Sequence, residues 1–165
     1  MSEEQGNVQN APANGKFQIQ KIYCKDISFE SPNAPAVFQQ TKWEPDVNVQ
    51  LATKTSKLAE NLHEVVITVT VTAKVEDNSA YLAEVQQAGI FQLEGFAAEQ
   101  MGHLLASFCP SILFPYAREA ISDLVNRGGF PQMLLAPVNF DALYMQHLQK
   151  QKAQAQNEAA SATAH

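Results

Sequence analysis

The chain has 165 residues and a formal net charge of -6 at pH 7, with an isoelectric point of about 5.1. This length predicts one domain that buries roughly two-thirds of the surface its unfolded chain exposes. The 11 basic residues are scattered and form no stripe that could neutralise phosphates, which argues against nucleic acid as a partner.

The ends of the chain and its cysteines bear on where the protein works. The N-terminus, MSEEQGNVQNAPANGK, lacks the basic and apolar regions of a signal peptide, and no apolar run approaches the roughly 18 residues that a membrane helix needs. Cys24 and Cys109 form neither a CxxC pair nor a disulfide framework. These features predict a cytoplasmic protein with reduced thiols, without insertion into a membrane.

The composition predicts a disordered tail at 1–15, one domain at 16–150 and a flexible tail at 151–165.

Period-two alternation predicts four strands. In the first strand the apolar residues of one parity are Phe17, Ile19, Tyr23, Ile27 and Phe29. Ile22 and Cys24 break this alternation and predict either a β-bulge or a stretch that is apolar on both sides. The segment SPNAP at 31–35 predicts a turn. The second strand carries Val47, Val49 and Leu51, and the nearby Pro45 marks it as an edge strand or a crossing loop.

The stretch HEVVITVTVTAKVE at 63–76 is the clearest strand, with one apolar and one polar face. The sequence DNS at 77–79 predicts a hairpin turn into a fourth strand over about 80–93.

Helical periodicity follows Gly95. Ala98, Gly102 and Ala106 form a stripe of small residues that allows another backbone to approach closely. Pro110 is expected to end this helix, and a second helix is expected to start between residues 111 and 115 and to stop at Gly128–Gly129. Asn139 is expected to cap a last helix that frays from about residue 151.

These elements predict an α+β domain. A four-stranded antiparallel sheet carries a long, broken helix and a C-terminal helix, both packed on one side.

Cys109 is the first candidate for chemistry. It precedes a helix, and His103 lies six residues upstream, but this spacing puts the two on different faces of any helix. A catalytic cysteine needs a base within reach, whereas a buried free cysteine packs as a small apolar residue. The sequence therefore favours packing for Cys109 and predicts no catalytic residue.

The chain lacks the sequence motifs that would indicate a metal or cofactor site. The four histidines show no ligand spacing, and HEVVI at 63–67 has isoleucine where a zinc-protease motif needs its second histidine. The chain contains no GxGxxG, no phosphate-binding GxxxxGK[ST] and no GxSxG motif. We expect neither a metal nor a cofactor.

Two sets of residues suggest surfaces that bind partners. The first consists of carboxylates on solvated strand faces: Asp26 with Glu30, and Glu84 beside Leu82. A merely solvated sheet face would carry the same pattern. The second is apolar, because Trp43, Val47, Val49 and Leu51 flank a proline-containing segment, which favours exposed apolar surface.

Several separated segments resemble the SecB protein-export chaperones of proteobacteria. They are FQIQKIYCKDISFESPNAP, EVVITVTVTA, AEVQQAGIF, CPSILFPYARE and RGGFPQMLLAPVNFDAL. They occur in the same order as in that family and span nearly all of 16–150, so the resemblance is far more specific than a single motif.

The resemblance implies a homotetramer built as a dimer of dimers. It also implies a chaperone that holds unfolded preproteins in the cytoplasm without ATP and delivers them to the SecA translocation ATPase. The positions that match the family's SecA-docking face are Asp26, Glu30, Leu82 and Glu84. Those that match its apolar client groove are Tyr23, Trp43, Val47, Val49, Leu51, Phe140 and Tyr144. We further expect Ala98, Gly102 and Ala106 to contribute to the oligomer interface.

Two other functions are compatible with an α+β domain. One is an enzyme that resembles a thioesterase whose sheet wraps around a helix, with Glu84 or His103 at a dimer cleft. The other is a purely structural oligomer, which would not bind unfolded chains.

Overall fold

A computed structural model describes residues 14–162. Its strands are β1 (Lys16–Glu30), β2 (Asp46–Ala59), β3 (Leu62–Val75) and β4 (Asn78–Glu94). They form one antiparallel sheet in the order β1-β4-β3-β2, so β1 and β2 are its edges. The predicted N-terminal tail lies, apart from Asn14 and Gly15, outside the described residues.

The α-helices all follow the strands. They are α1 (Ala98–His103), α2 (Cys109–Arg127) and α3 (Phe140–Ala162), and a π-helical segment, Leu104–Phe108, joins α1 to α2. The predicted α+β class is confirmed. None of the helices in 14–162 combines the length and the apolar character needed to cross a membrane.

The core lies between the sheet and α2, which packs on β3 and β4. The apolar side chains of β3 that point to this inner face are fully or almost fully buried, from Val65 to Val75. Threonines alternate with them on the opposite, outer face, as the period-two pattern predicts. Leu113, Ala117 and Ile121 of α2 complete the core.

Two β-bulges decide which way the side chains of β1 point. The pairing with β4 shifts between Ile19 and Lys21 and again between Cys24 and Asp26. Of the two predicted alternatives, the bulge is thus confirmed, and β1 contains a second one. Between the two bulges, the residues of β1 point to the face opposite to the one that simple alternation predicts. Ile22 therefore points to the inner face, and Tyr23 to the outer face rather than alongside Phe17 and Phe29.

The segment between β1 and β2 is fixed by an aromatic cluster. The segment begins with the predicted turn, where Ser31 Oγ donates a hydrogen bond to the carbonyl of Ala80 at 2.9 Å. It continues as a short 3₁₀ helix, Ala36–Gln39. Phe130 lies at the centre of the cluster. Its ring contacts four others, those of Phe29, Phe38, Trp43 and Tyr81, at centroid distances between 4.9 and 6.3 Å.

The long helix is continuous where the sequence predicted a break. Pro110 does not end it, because this proline falls in the first turn of α2, directly after the π-helical segment. The hydrogen-bonding pattern changes there, so a missing amide proton is tolerated. Pro115 lies inside α2 as well. Only after Arg127 does the helix stop, where Gly129 adopts a positive φ of 85°.

The last helix starts as predicted. Asn139 caps α3, since its side-chain oxygen accepts a hydrogen bond from the amide of Ala142 at 3.0 Å. The helix then continues to Ala162, past the point where the flexible C-terminal tail was expected to begin. The flexibility of that tail stays a prediction, and residues 163–165 lie outside the described part.

Candidate functional site

The inner face of β2 is open. Val47, Val49 and Leu51 pair with Ala73, Val71 and Val69 of β3, so they share the apolar face of the sheet. Because α2 covers β3 and β4 rather than this edge strand, Val49 stays 48% exposed. The strand thus forms the floor of a groove whose other walls come from the 130–139 segment and α3.

The first part of the groove is almost wholly apolar. It is a cavity of about 210 Å³ between Val49 and Leu51 of β2 and the chain segment Leu135–Val138, with Phe114 of α2 behind it. A site of this kind suits aliphatic and aromatic side chains without regard to their sequence.

The second part adjoins the first through Leu51 and is more polar. This cavity of about 290 Å³ lies between Thr53 and Thr55 of β2 and one side of α3, where Tyr144 and His147 face it. A peptide lying along β2 would therefore pass from apolar to mixed surroundings.

The predicted groove residues are only partly brought together. Val49, Leu51, Phe140 and Tyr144 line the two cavities, and Val47 lies on the same face of β2. Trp43 lines neither cavity and instead packs on Phe130, with 5.4 Å between the ring centroids. Tyr23 lies on the outer face of the sheet, on the opposite side, as the two bulges require.

Sequence reasoning missed several residues of the groove. Thr53 and Thr55 continue the alternation of Val47, Val49 and Leu51, so that pattern could have identified them. The segment Leu135–Val138 shows no period and gave no signal.

The stripe of small residues faces α3 within the same chain. A Cβ atom on Gly102 would lie 3.0 Å from the hydroxyl of Tyr144, and Ala106 lines the second cavity. The stripe therefore allows α3 to approach the long helix. Its part in an oligomer interface stays a prediction.

The predicted acidic residues share the outer face of the sheet. Asp26, Ser28 and Glu30 lie on the same face of β1, where Ser28 pairs with Glu84 and Glu30 pairs with Leu82 of β4. Glu84 accepts a hydrogen bond from Thr70 at 2.9 Å, which fixes its carboxylate on this surface.

The other end of the outer face is built around Glu64. Its carboxylate accepts hydrogen bonds from the hydroxyl of Tyr23 and from Lys25 Nζ, the latter at 2.9 Å. These bonds, together with the charges of Lys25 and Lys54, hold the pKa of Glu64 below its usual range. Burial and the bond to Glu64 raise the pKa of Tyr23 to about 12. The outer face is thus acidic at one end and rich in lysine at the other.

Comparisons with known proteins identify the family. The family model for preprotein translocase subunit SecB matches residues 9–151. This chain belongs to the SecB family. Protein-export protein SecB of Methylococcus capsulatus is 58% identical over 94% of this chain and 97% of its own length. The corresponding protein of Nitrosococcus oceani is 54% identical over 92% of this chain and 94% of its own.

A solved structure agrees with this fold. The SecB-like chaperone of Mycobacterium tuberculosis, solved in complex with a ChAD peptide from the HigA1 antitoxin, matches with a TM-score of 0.61. The match covers 74% of this chain and 90% of that one at 18% identity. SecB proteins are protein-export chaperones rather than enzymes.

The polar groups that could suggest catalysis, Cys109 and the trio of His103, Ser107 and Asp141, are not arranged as in an enzyme active site. Cys109 is fully buried, and desolvation raises the pKa of its thiol to about 12, which confirms its predicted packing role. His103 and Ser107 both bond to the carboxylate of Asp141. Because Ser107 donates to the aspartate and not to the histidine, this trio lacks the order of a catalytic triad. Within residues 14–162, no three His, Cys, Asp or Glu side chains come together as metal ligands.

Proposed function

We propose that this SecB protein binds unfolded preproteins in the groove beside β2, keeps them competent for translocation in the cytoplasm, and delivers them to the SecA translocation ATPase. The observation that carries the proposal is the uncovered inner face of β2. Two adjoining cavities lie on it and expose apolar surface in a folded domain. Exposed apolar patches of this kind mark sites that bind apolar partners.

Holding a chain in this way needs no nucleotide. A protein that binds only the unfolded state shifts the folding equilibrium of its client by mass action. Burial of about 1,000 Å² of apolar client surface would supply on the order of 25 kcal/mol before costs. Ordering a flexible client removes most of this, so binding is reversible and release needs no large input of energy.

The outer face supports a docking site for SecA. Asp26, Glu30 and Glu84 present carboxylates around the partly exposed Leu82. A basic partner surface would be steered to such a patch, and an apolar contact at its centre would add affinity.

The edge strand β1 supports assembly into a homotetramer, a dimer of dimers. Ile19 and Ile27 lie on this strand and remain 43% and 48% exposed in the single chain. A second copy that covered them would also satisfy the free edge of the strand. Several grooves on one assembly would raise avidity for a long client without sequence specificity.

Size-exclusion chromatography with light scattering tests the assembly and the client binding together. We expect a free mass of four times 18.1 kDa, about 72 kDa, that increases with a reduced, unfolded preprotein but not with the same protein in its native state. A monomer or dimer that ignores unfolded chains would contradict the proposal. A tetramer that ignores them would instead be a purely structural oligomer.

Matched variants locate the client site. Leu51→Glu places a charge on the floor of the groove, whereas Gln50→Glu places the same charge on the outer face of the same strand. We expect the first to weaken binding of the unfolded preprotein and the second to leave it unchanged. Equal effects would place the client elsewhere.

The docking site needs its own pair of variants. Glu84→Lys reverses a charge within the acidic patch, and Glu60→Lys does so in the exposed turn between β2 and β3. Only Glu84→Lys should weaken binding to SecA, measured by calorimetry at low and moderate salt. If both variants bound SecA as well as the wild-type protein does, this face would be excluded as the docking site.

A further inference from the structure

The groove wall formed by α3 is held to the rest of the chain by few contacts. Phe140 is the one buried residue of this helix, and its ring packs edge-on against Phe114 at 5.8 Å. Beyond it, Tyr144 and Leu148 are half-buried and every other residue of α3 is exposed. The orientation of such a helix depends strongly on the contacts next to its buried end.

A polar clasp lies at that position. Asp141 Oδ1 accepts hydrogen bonds from His103 Nε2, at 2.8 Å, and from the hydroxyl of Ser107. His103 also packs edge-on against the ring of Tyr144 at 5.7 Å. Two residues four apart on the long helix thus contact two residues three apart on α3, a spacing that puts each pair on one face of its helix.

The surroundings of the clasp favour a charged Asp141. The bonds from Ser107 and His103 hold the pKa of its carboxyl below the usual range. The carboxylate also lies in the first turn of α3, where the helix dipole stabilises a negative charge.

The two ends of the clasp differ in burial. Ser107 is only 1% exposed and lies in the π-helical segment, a kind of distortion that often occurs at functional positions. Asp141, in contrast, is 68% exposed. Solvent-exposed charged contacts contribute little to the stability of a fold, so this contact fixes a position more than it stabilises the domain.

We propose that Asp141, with His103 and Ser107, is the positioning unit that sets the spacing between α3 and β2. Tyr144 and His147 follow Asp141 along α3 and face Thr53 and Thr55 across the second cavity. His147 lies roughly 10 Å along the helix from the buried Phe140. A tilt about Phe140 therefore changes the width of that cavity, and with it the residence time of a client. The effect on clients rests on the proposed function, whereas the spacing does not.

The spacing can be measured without a client. Spin labels at Gln50 and Gln146, both exposed, report the distance between β2 and α3, in a Cys24→Ser background diluted with unlabelled chains. We expect Asp141→Asn and Ser107→Ala each to shift or broaden the distance distribution. Asp77→Asn, in the exposed turn between β3 and β4, should leave it unchanged.

The effect on clients is measured in parallel, as the dissociation rate of a fluorescent unfolded preprotein. We expect each clasp variant to change it by about two- to fivefold, the range that an exposed charged contact supports, with little change in the unfolding midpoint. The effect of the double variant should be smaller than the sum of the two single effects, because both substitutions weaken the contact between Ser107 and Asp141.

Three results would overturn the proposal. These are an unchanged distance distribution, additive effects in the double variant, or a changed distribution without any change in the dissociation rate. If the wild-type protein bound no unfolded preprotein, the proposed function would fail, while the distance measurement would still decide whether the clasp sets the position of α3.

Discussion

Phe130→Ala tests how the segment between β1 and β2 is held. The Phe130 side chain is 5% exposed, and its ring lies 4.9 Å from Tyr81, 5.0 Å from Phe38 and 5.4 Å from Trp43. Truncation of a buried phenylalanine costs about 3–5 kcal/mol. Phe38 is half-exposed and can move into part of the space left behind, so we expect a loss near the lower limit, about 3 kcal/mol.

The assay is urea unfolding, followed by circular dichroism and by the fluorescence of Trp43, the single tryptophan of the chain. Protein concentration must be matched, because oligomer stability depends on it. Leu134→Ala is the control, in the segment between α2 and α3 that also contains Phe130. This leucine is 70% exposed, and its truncation should lower the free energy of unfolding by less than about 0.5 kcal/mol. If Phe130→Ala lowered the free energy of unfolding by less than about 1 kcal/mol, or by no more than the control, the view that this ring organises the segment between β1 and β2 would be refuted.

The remaining predictions concern titration and capping. Burial and the charge of Lys57 lower the pKa of His63 from 6.5. The unfolded chain therefore takes up a proton that the folded chain does not, and the free energy of unfolding should fall as the pH drops from about 7 to 5; in His63→Gln this contribution should be absent. The folded pKa of Tyr23 lies above its ordinary value of 10.0, so the stability from its bond to Glu64 should be present below pH 10 and lost as the pH rises to about 12. Tyr23→Phe should lower the free energy of unfolding by about 1 kcal/mol at pH 8 and should not show the alkaline loss of stability. Unfolding measured at pH 8 and at about pH 12 checks both expectations. Asn139→Ala should cost about 1 kcal/mol and speed amide exchange in the first turn of α3, whereas Asn139→Asp should preserve the cap; equal exchange in the two would argue against the capping bond.

The sheet could be predicted because its central strand obeys one rule throughout. Every second residue of β3 from Val65 to Val75 is buried on the inner face. The pairing with β2 is regular over this run, and the pairing with β4 shifts only near its end, between Ala73 and Lys74. A strand with one buried face needs this alternation, so the sequence alone determines both its extent and its sides. Asn139 could be predicted for a similar reason, since a cap is a local interaction.

The direction of Tyr23 could not be predicted in the same way. Ile22 and Cys24 revealed that the alternation breaks, but two bulges are needed to invert only the residues between them. Their positions depend on the register with β4, more than 60 residues further along the chain. A local pattern contains no information on that register.

The groove escaped prediction in part because its walls are distant in sequence. The floor comes from β2, while Leu135 and Tyr144 belong to segments that fold back over it. Pro110 illustrates a related limit, since its tolerance inside the long helix depends on the π-helical segment before it. Such a change in hydrogen bonding has no clear sequence signature.

The two proposed binding surfaces lie on opposite faces of one sheet. The groove uses the inner face of β2, whereas the acidic patch uses the outer faces of β1 and β4. The backbone of a single sheet separates the two surfaces, so occupants of both can be present at once without competing for space. If the proposed client groove and the proposed docking patch are both used, a ternary complex is sterically allowed, and the preprotein need not pass through free solution during handover.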